Sequence, residues 1–204
     1  KYVMPYLLSN FSRQNKGVDL IIDVTNKAQV IESLELNTVD FAMVSVLPTK
    51  LSVDSVELMQ NKLYLIAGKN GLANKKLSKK KIFEESALLY RETGSATRAA
   101  MENFIIENKF EVRKKIELTS NEAVKQAVIA GLGFSIMPII GLKNELKNNE
   151  VQIVKIKGLP ILTMWNIIWL KSKKLSPTAL AFLAYLKEEK NQVIQDNFEW
   201  ISDY

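Results

Sequence analysis

The sequence predicts an α/β fold in which parallel strands are covered by helices. Three observations carry that expectation. Between residues 18 and 46 a β-branched run, a helically spaced run and a second apolar run follow one another as strand, helix, strand. Between residues 87 and 137 the pattern recurs, each helix opened by a capping residue just after a strand. Finally, 204 residues with 47% hydrophobic content can bury a substantial core, as one large domain or two small lobes.

Taken in order, Tyr2 to Asn15 places Val3, Tyr6, Leu7 and Phe11 at helical spacing, with Pro5 tolerable only in the first turn. Val18 to Val24 reads as a strand, Lys27 to Leu36 as a helix and Phe41 to Val46 as a second strand. Such a unit needs a crossover, and right-handed crossovers build parallel sheets. Val56 to Met59 and Leu63 to Ala67 read as separate strands, and Ala87 to Tyr90 as another. A helix from Ser95 to Asn108 buries Met101, Phe104 and Ile105, and a strand follows over Arg113 to Leu118. Ser120 and Asn121 open a helix from Glu122 to Ala130, which Gly131 to Gly133 ends before a strand over Phe134 to Met137. Pro138 to Lys147 reads as a helix, Val151 to Ile156 and Leu162 to Leu170 as strands. Ser176 and Pro177 start the last helix, and the polar tail beyond Lys187 is expected to extend outward. Trp165 and Trp169 are expected in the core or where lobes join, rather than stacked on a ligand.

What is missing narrows the chemistry. With no cysteine and no histidine, thiol nucleophiles, iron–sulfur clusters, disulfides, histidine-assisted serine catalysis and ordinary zinc sites are excluded. Asp and Glu are scattered, without the spacing of a calcium loop, so neither a metal centre nor a cofactor is expected. No apolar run reaches the ~18 to 20 residues of a membrane helix, and the N-terminus lacks a basic-then-apolar export signal. A cytoplasmic protein off the membrane is therefore expected, although Lys1 is not a start methionine. The net charge of +6 raises nucleic acid as a partner, yet five lysines fall in the run Asn74 to Lys81, which lacks stacking aromatics and reads as a solvated loop and short helix.

The most informative stretch is Arg91-Glu92-Thr93-Gly94-Ser95-Ala96-Thr97-Arg98. It reads as strand, turn and helix N-terminus. Gly94 permits a tight turn, Ser95 or Thr97 can cap the first amides, and the helix dipole favours an anion there. Arg91 or Arg98 can present a paired fork to a carboxylate, phosphate or sulfate. The plain alternative is a helix cap with Arg91 and Glu92 paired on the surface. Ligands of open α/β sheets sit beyond strand C-termini, where Thr25, Asn26, Ser45, Ser120 and Asn121 also fall. Capping is an equal explanation for Ser120 and Asn121.

Together with Lys1 to Pro5, Val39 to Ala42, Leu63 to Ala67, Ser120 to Val128, Ala130 to Ile136 and Leu175 to Leu183, that stretch resembles the effector-binding domain of LysR-type transcriptional regulators, in the RuBisCO-operon branch. The resemblance spans nearly the whole chain. It departs from the usual Arg-Glu-Pro-Gly-Ser-Gly-Thr-Arg at Thr93 and Ala96 but keeps both arginines.

The resemblance implies two Rossmann-like lobes joined by crossing strands, as in type II periplasmic binding proteins. Lobe I would comprise residues 1 to 66 plus 167 to 204 and lobe II residues 67 to 166, with hinges near Ile66 to Gly68 and Met164 to Asn166. A small anionic effector would lie between them. Its contacts would be Arg91, Thr93, Gly94, Ser95, Thr97 and Arg98 as an anion cradle, with Thr25, Asn26, Ser45, Ser120 and Asn121, and more weakly Phe134 and Ser135. Phosphorylated sugars, phosphoenolpyruvate or a nicotinamide dinucleotide phosphate are the implied effectors. A homodimer or tetramer is implied, with Val30, Ile31 and Leu34 of one copy near Val124 and Val128 of another, although each could equally face its own sheet. The winged helix-turn-helix that reads DNA is absent from this chain, so DNA would be bound only through it. The family strand that precedes the first helix is missing too, which leaves a gap in the lobe I sheet. The alternatives are a solute-binding protein of a transporter and an enzyme on the same scaffold, for which Glu92 is the obvious acid or base.

Overall fold

The computed structural model describes residues 1–71 and 79–204. The chain divides into two compact units, Lys1–Gln60 with Thr163–Tyr204 and Asn61–Leu162. Two long strands run through both: the chain leaves the first unit within β2 (Val53–Gly68) and re-enters it within β7 (Ile161–Leu170).

Unit 1 opens with α1 (Met4–Gln14), whose Pro5 sits in the first turn. There its missing N–H costs nothing, because first-turn amides have no intrahelical acceptor. Leu7 and Phe11 are buried. The Phe11 ring meets Phe182 at 5.2 Å and Tyr185 at 5.6 Å on α7 (Pro177–Phe198). Each such ring pair contributes about 0.5–1.5 kcal/mol beyond area burial. The polar tail expected to extend outward does not: α7 continues to Phe198, Val193 and Phe198 are buried, and Phe198 meets the Tyr6 ring edge-on at 5.4 Å. The apolar residues needed for that return are spaced along an otherwise charged segment, where they define no continuous stripe.

α2 (Lys27–Glu35) carries a capping box, in which the Gln29 amide donates to Asn26 Oδ1 at 3.1 Å. β1 (Ala42–Val44) follows and pairs antiparallel with β7, Ala42 opposite Ile168 and Val44 opposite Asn166. Leu34, Ala42, Val44 and Ile168 form the core beneath, with Val30 and Ile31 against it. The strand expected over Val18 to Val24 is not formed; the segment has no ladder partner, and Ile21 is 97% exposed and Val24 60%. Strand propensity is realised only when a neighbouring strand accepts the backbone groups. The parallel strand–helix–strand unit expected in this half is therefore not built.

Unit 2 holds a mixed sheet. β2 is one strand of 16 residues, where two were expected. Its second half pairs antiparallel with β5 (Ser135–Pro138), Leu65 opposite Ile136, and with β6 (Val151–Val154), Leu65 opposite Val154. β3 (Ala87–Arg91) and β4 (Lys114–Leu118) are parallel, Arg91 opposite Leu118. Phe134 joins β3 to β5 through a parallel bridge with Leu88. Helices α3 (Lys79–Glu85) and α4 (Ala96–Glu107) pack around a core that includes Leu65, Phe83, Leu88, Met101, Phe104 and Ile136, and α5 (Asn121–Ile129) packs against β3, β4 and β5. The helix expected over Pro138 to Lys147 splits into a 3₁₀ turn, Ile139–Gly141, and α6 (Lys143–Lys147). Of the lysine-rich run Asn74 to Lys81, positions 74 to 78 lie outside the described residues, and Lys79 to Lys81 open α3.

Leu34, Val124 and Val128 are 0–1% exposed in the single chain, so they are core residues and not the apolar contacts offered to a second copy. Among the described residues no helix is long and apolar enough to cross a membrane, and no cluster of Asp and Glu could hold a metal ion.

Candidate functional site

The parallel pairing of β3 with β4 decides what comes together in unit 2. Both strands end at the same level, and each is followed by a turn into a helix. The N-termini of α4 and α5 therefore lie beside each other, with their unsatisfied first-turn amides on one side of the sheet. Ser95 is the N-cap of α4, accepting from the Arg98 amide at 3.5 Å, and is 5% exposed. Ser120 caps α5, accepting from the Ala123 amide at 3.0 Å. Between Arg91 and Ser95 the chain turns at Gly94, whose φ of 91° lies where a β-carbon is strained.

Arg91 is the centre of the group. Its Nε and Nη2 donate to the two carboxylate oxygens of Glu92 at 2.7 and 2.8 Å, and its Nη1 donates to Asn121 Oδ1 at 2.5 Å. The Arg91 and Glu92 side chains are only 12% and 16% exposed, so this is a largely desolvated bidentate pair, not a loose surface contact. Neighbours in an extended strand point to opposite faces, and the pair forms because β3 ends at Arg91 and the backbone turns.

Arg98 is equally engaged. Its Nε donates to Glu102 at 2.9 Å, and its Nη1 donates to Glu117 and, at 3.2 Å, to the Arg91 carbonyl. The hydrogen bonds to Glu102 and Glu117 raise the Arg98 pKa further above its already high ordinary value. Beneath it lies the Tyr90 ring, 5.8 Å from the Arg98 guanidinium and 5.4 Å from Lys115 Nζ. Burial first, then the charge of Glu102, push the Tyr90 hydroxyl up to about 12, against the opposing effect of Arg98.

The structure thus gathers Arg91, Gly94, Ser95, Arg98, Ser120 and Asn121, with Thr93 exposed and Thr97 half-buried in the same loop and first turn. Phe134 and Ser135 lie within the sheet, beside β3. Phe134 is 5% exposed in the core, and the Ser135 hydroxyl donates to the Leu89 carbonyl at 2.7 Å between strands. In unit 1, Asn26 is spent on the α2 cap, Thr25 is exposed just before it, and half-buried Ser45 follows β1. Sequence reasoning did not single out Glu102 or Glu117. The i to i+4 spacing of Arg98 and Glu102 was a readable signal; Glu117 reaches Arg98 only through the β3–β4 register.

A sequence profile of the LysR substrate binding domain matches residues 1–191. The chain belongs to the LysR substrate-binding domain family. Among its relatives, the HTH-type transcriptional activator CmpR of Synechocystis is 36% identical over 188 residues, which cover 91% of this chain and 62% of that protein. The RuBisCO operon transcriptional regulator of Allochromatium vinosum is 33% identical, with 92% and 63% covered. The chain therefore spans about 62% of the length of these regulators. The regulatory domain of CcmR from Synechocystis, solved in complex with 2-PG, superimposes with a TM-score of 0.81 at 32% identity, covering 91% of this chain and 89% of that one. This LysR domain accordingly has the type II periplasmic-binding-protein-like α/β fold. Its named relatives are transcriptional regulators, not enzymes or transporter components.

Proposed function

We propose that this chain is the effector-sensing domain of a cytoplasmic LysR-type transcriptional regulator and that a small anionic metabolite binds at the Arg91 loop. The observation that carries the reading is the position of the Arg91 guanidinium, where the N-termini of α4 and α5 converge and Asn121 steers its fork. Helix dipoles and first-turn amides favour an anion at such a point. A carboxylate, that of Glu92, already occupies the fork, so the spot accommodates a planar anion. The relative solved with 2-PG supports that ligand as a first candidate, beside phosphorylated sugars, phosphoenolpyruvate and a nicotinamide dinucleotide phosphate. Thr25, Asn26 and Ser45 enter the proposal on the family resemblance alone. Binding would act by preferring one conformation of a homodimer or tetramer, and so of the DNA-binding segments it carries; only differential affinity can drive such a shift.

The test is thermal unfolding against a panel of these anions, in the wild type and in Arg91→Ala. A bound effector at a hundred times its Kd should add about 2.7 kcal/mol, which for a chain of this size is about 5–10 °C. Arg91→Ala leaves Glu92 without its partner and lowers the unliganded midpoint, so the ligand-induced shift is the readout. An equal shift in both proteins, or none with any anion, rejects the proposal.

A further inference from the structure

The two arginines of the loop are bound by three carboxylates: Glu92 on Arg91, and Glu102 and Glu117 on Arg98. These five side chains sum to −1. A free anion arriving at the loop meets a matched guanidinium pair and not a bare positive charge, so it gains a fork only by replacing one of the three. Glu117 and Glu102 are 54% and 38% exposed and hold Arg98 against the Arg91 carbonyl, where that side chain braces the loop. Glu92 is different. It fills both arms of the Arg91 fork, it is only 16% exposed, and it would gain hydration by swinging out.

We infer that Glu92 is a tethered competitor of the effector: its carboxylate occupies Arg91 in the unliganded domain, and ligand binding is an exchange of one anion for another on the same guanidinium. The inference rests on the Arg91 loop being the effector site. Arg91 keeps its Asn121 contact through the exchange, so the fork stays aimed while its occupant changes.

The consequence is a threshold on ligand chemistry. A tethered group competes at a high effective concentration without losing translational freedom. A fork that is ninety to ninety-nine per cent occupied from within weakens every external anion by about ten- to a hundredfold. Monocarboxylates offer Arg91 only what Glu92 already supplies and fall out of range. A phosphate ester, with charge approaching −2 and three acceptor oxygens, has surplus to outlast the penalty. The domain is thereby selective for phosphorylated metabolites.

Calorimetric titration with 2-PG, phosphoenolpyruvate and inorganic phosphate tests this on the wild type, Glu92→Gln and the double variant Arg91→Ala/Glu92→Gln. Glu92→Gln should bind at least about tenfold tighter, and the double variant should lose the gain. Unchanged or weaker binding by Glu92→Gln, with the wild type still binding, overturns the competitor and leaves the effector site standing. A gain that survives in the double variant overturns it too, since the effect would then be general electrostatics. If neither protein binds any of the anions, both readings fall. Should Glu92→Gln not fold, the wild-type structure with a bound anion decides: the Glu92 carboxylate must have left Arg91, and an intact pair refutes the exchange.

Discussion

Replacing Gly133 with alanine should destabilise the domain more than the same change at Gly131, two residues away, and for a different reason. A β-carbon at Gly133 would lie 2.1 Å from the Ala87 carbonyl oxygen and 2.9 Å from its carbon. Both are backbone atoms at the start of β3, so no side chain can rotate away. Relief requires about 1 Å of separation between β3 and the segment entering β5. That opening strains the bond from the Phe134 amide to Ala87 at 3.0 Å and the bond from the Leu89 amide to Phe134 at 2.8 Å. Overpacking of this kind costs about 1–3 kcal/mol, and each backbone bond contributes about 0.5–1.5 kcal/mol. A loss near 3 kcal/mol follows, or about 6–12 °C in Tm for a chain of this length. At Gly131 nothing lies within 4 Å of a β-carbon, but φ is +81°, so alanine meets only local backbone strain, about 1 kcal/mol. Chemical denaturation of both variants, fitted with a common slope, measures the difference. Equal losses, or a Gly133→Ala cost below 1 kcal/mol, would refute the claim that strand contact and not turn geometry requires glycine there.

Two further outcomes are expected. Because the Tyr90 hydroxyl is pushed up to about 12 in the folded chain and ionises near 10 when unfolded, its contribution to stability is complete below pH 10 and is lost as pH rises from 10 to 12. Tyr90→Phe should therefore flatten the alkaline fall of Tm between pH 9 and 12 relative to the wild type, and parallel curves would contradict the assignment. Ile21→Asp should change stability by less than about 0.5 kcal/mol, because Ile21 is 97% exposed; a loss of 2 kcal/mol in urea unfolding would mean that the Val18 to Val24 segment is packed after all.

The features that the chain determined by itself are those closed within a few residues. Asn26, Ser95, Ser120 and Ser176 each cap the helix that follows them. Their effect depends on amides two or three positions away, which any reader of the sequence can find. The loop from Arg91 to Arg98 belongs to the same level, and the α/β class was legible from the alternation of strand and helix patterns, although the unit expected between residues 18 and 46 is not built. Tertiary structure decided whatever needed a distant partner. Val18 to Val24 has the composition of a strand and lacks a neighbour to pair with, while β2 runs unbroken through the residues between two expected strands, and β5 and β6 pair only with its second half. Val124 and Val128 proved to be core, because helical spacing marks an apolar face without saying what covers it. The site divides along the same line. That Arg91 stands at a strand end before a helix cap is local and legible. That Arg91 pairs with its neighbour Glu92 is local as well. That its Nη1 meets Asn121, and that Arg98 is bound by Glu117 from the adjacent strand, follows from the register of β3 on β4, a pairing of distant residues, Arg91 with Leu118, that has no local signature.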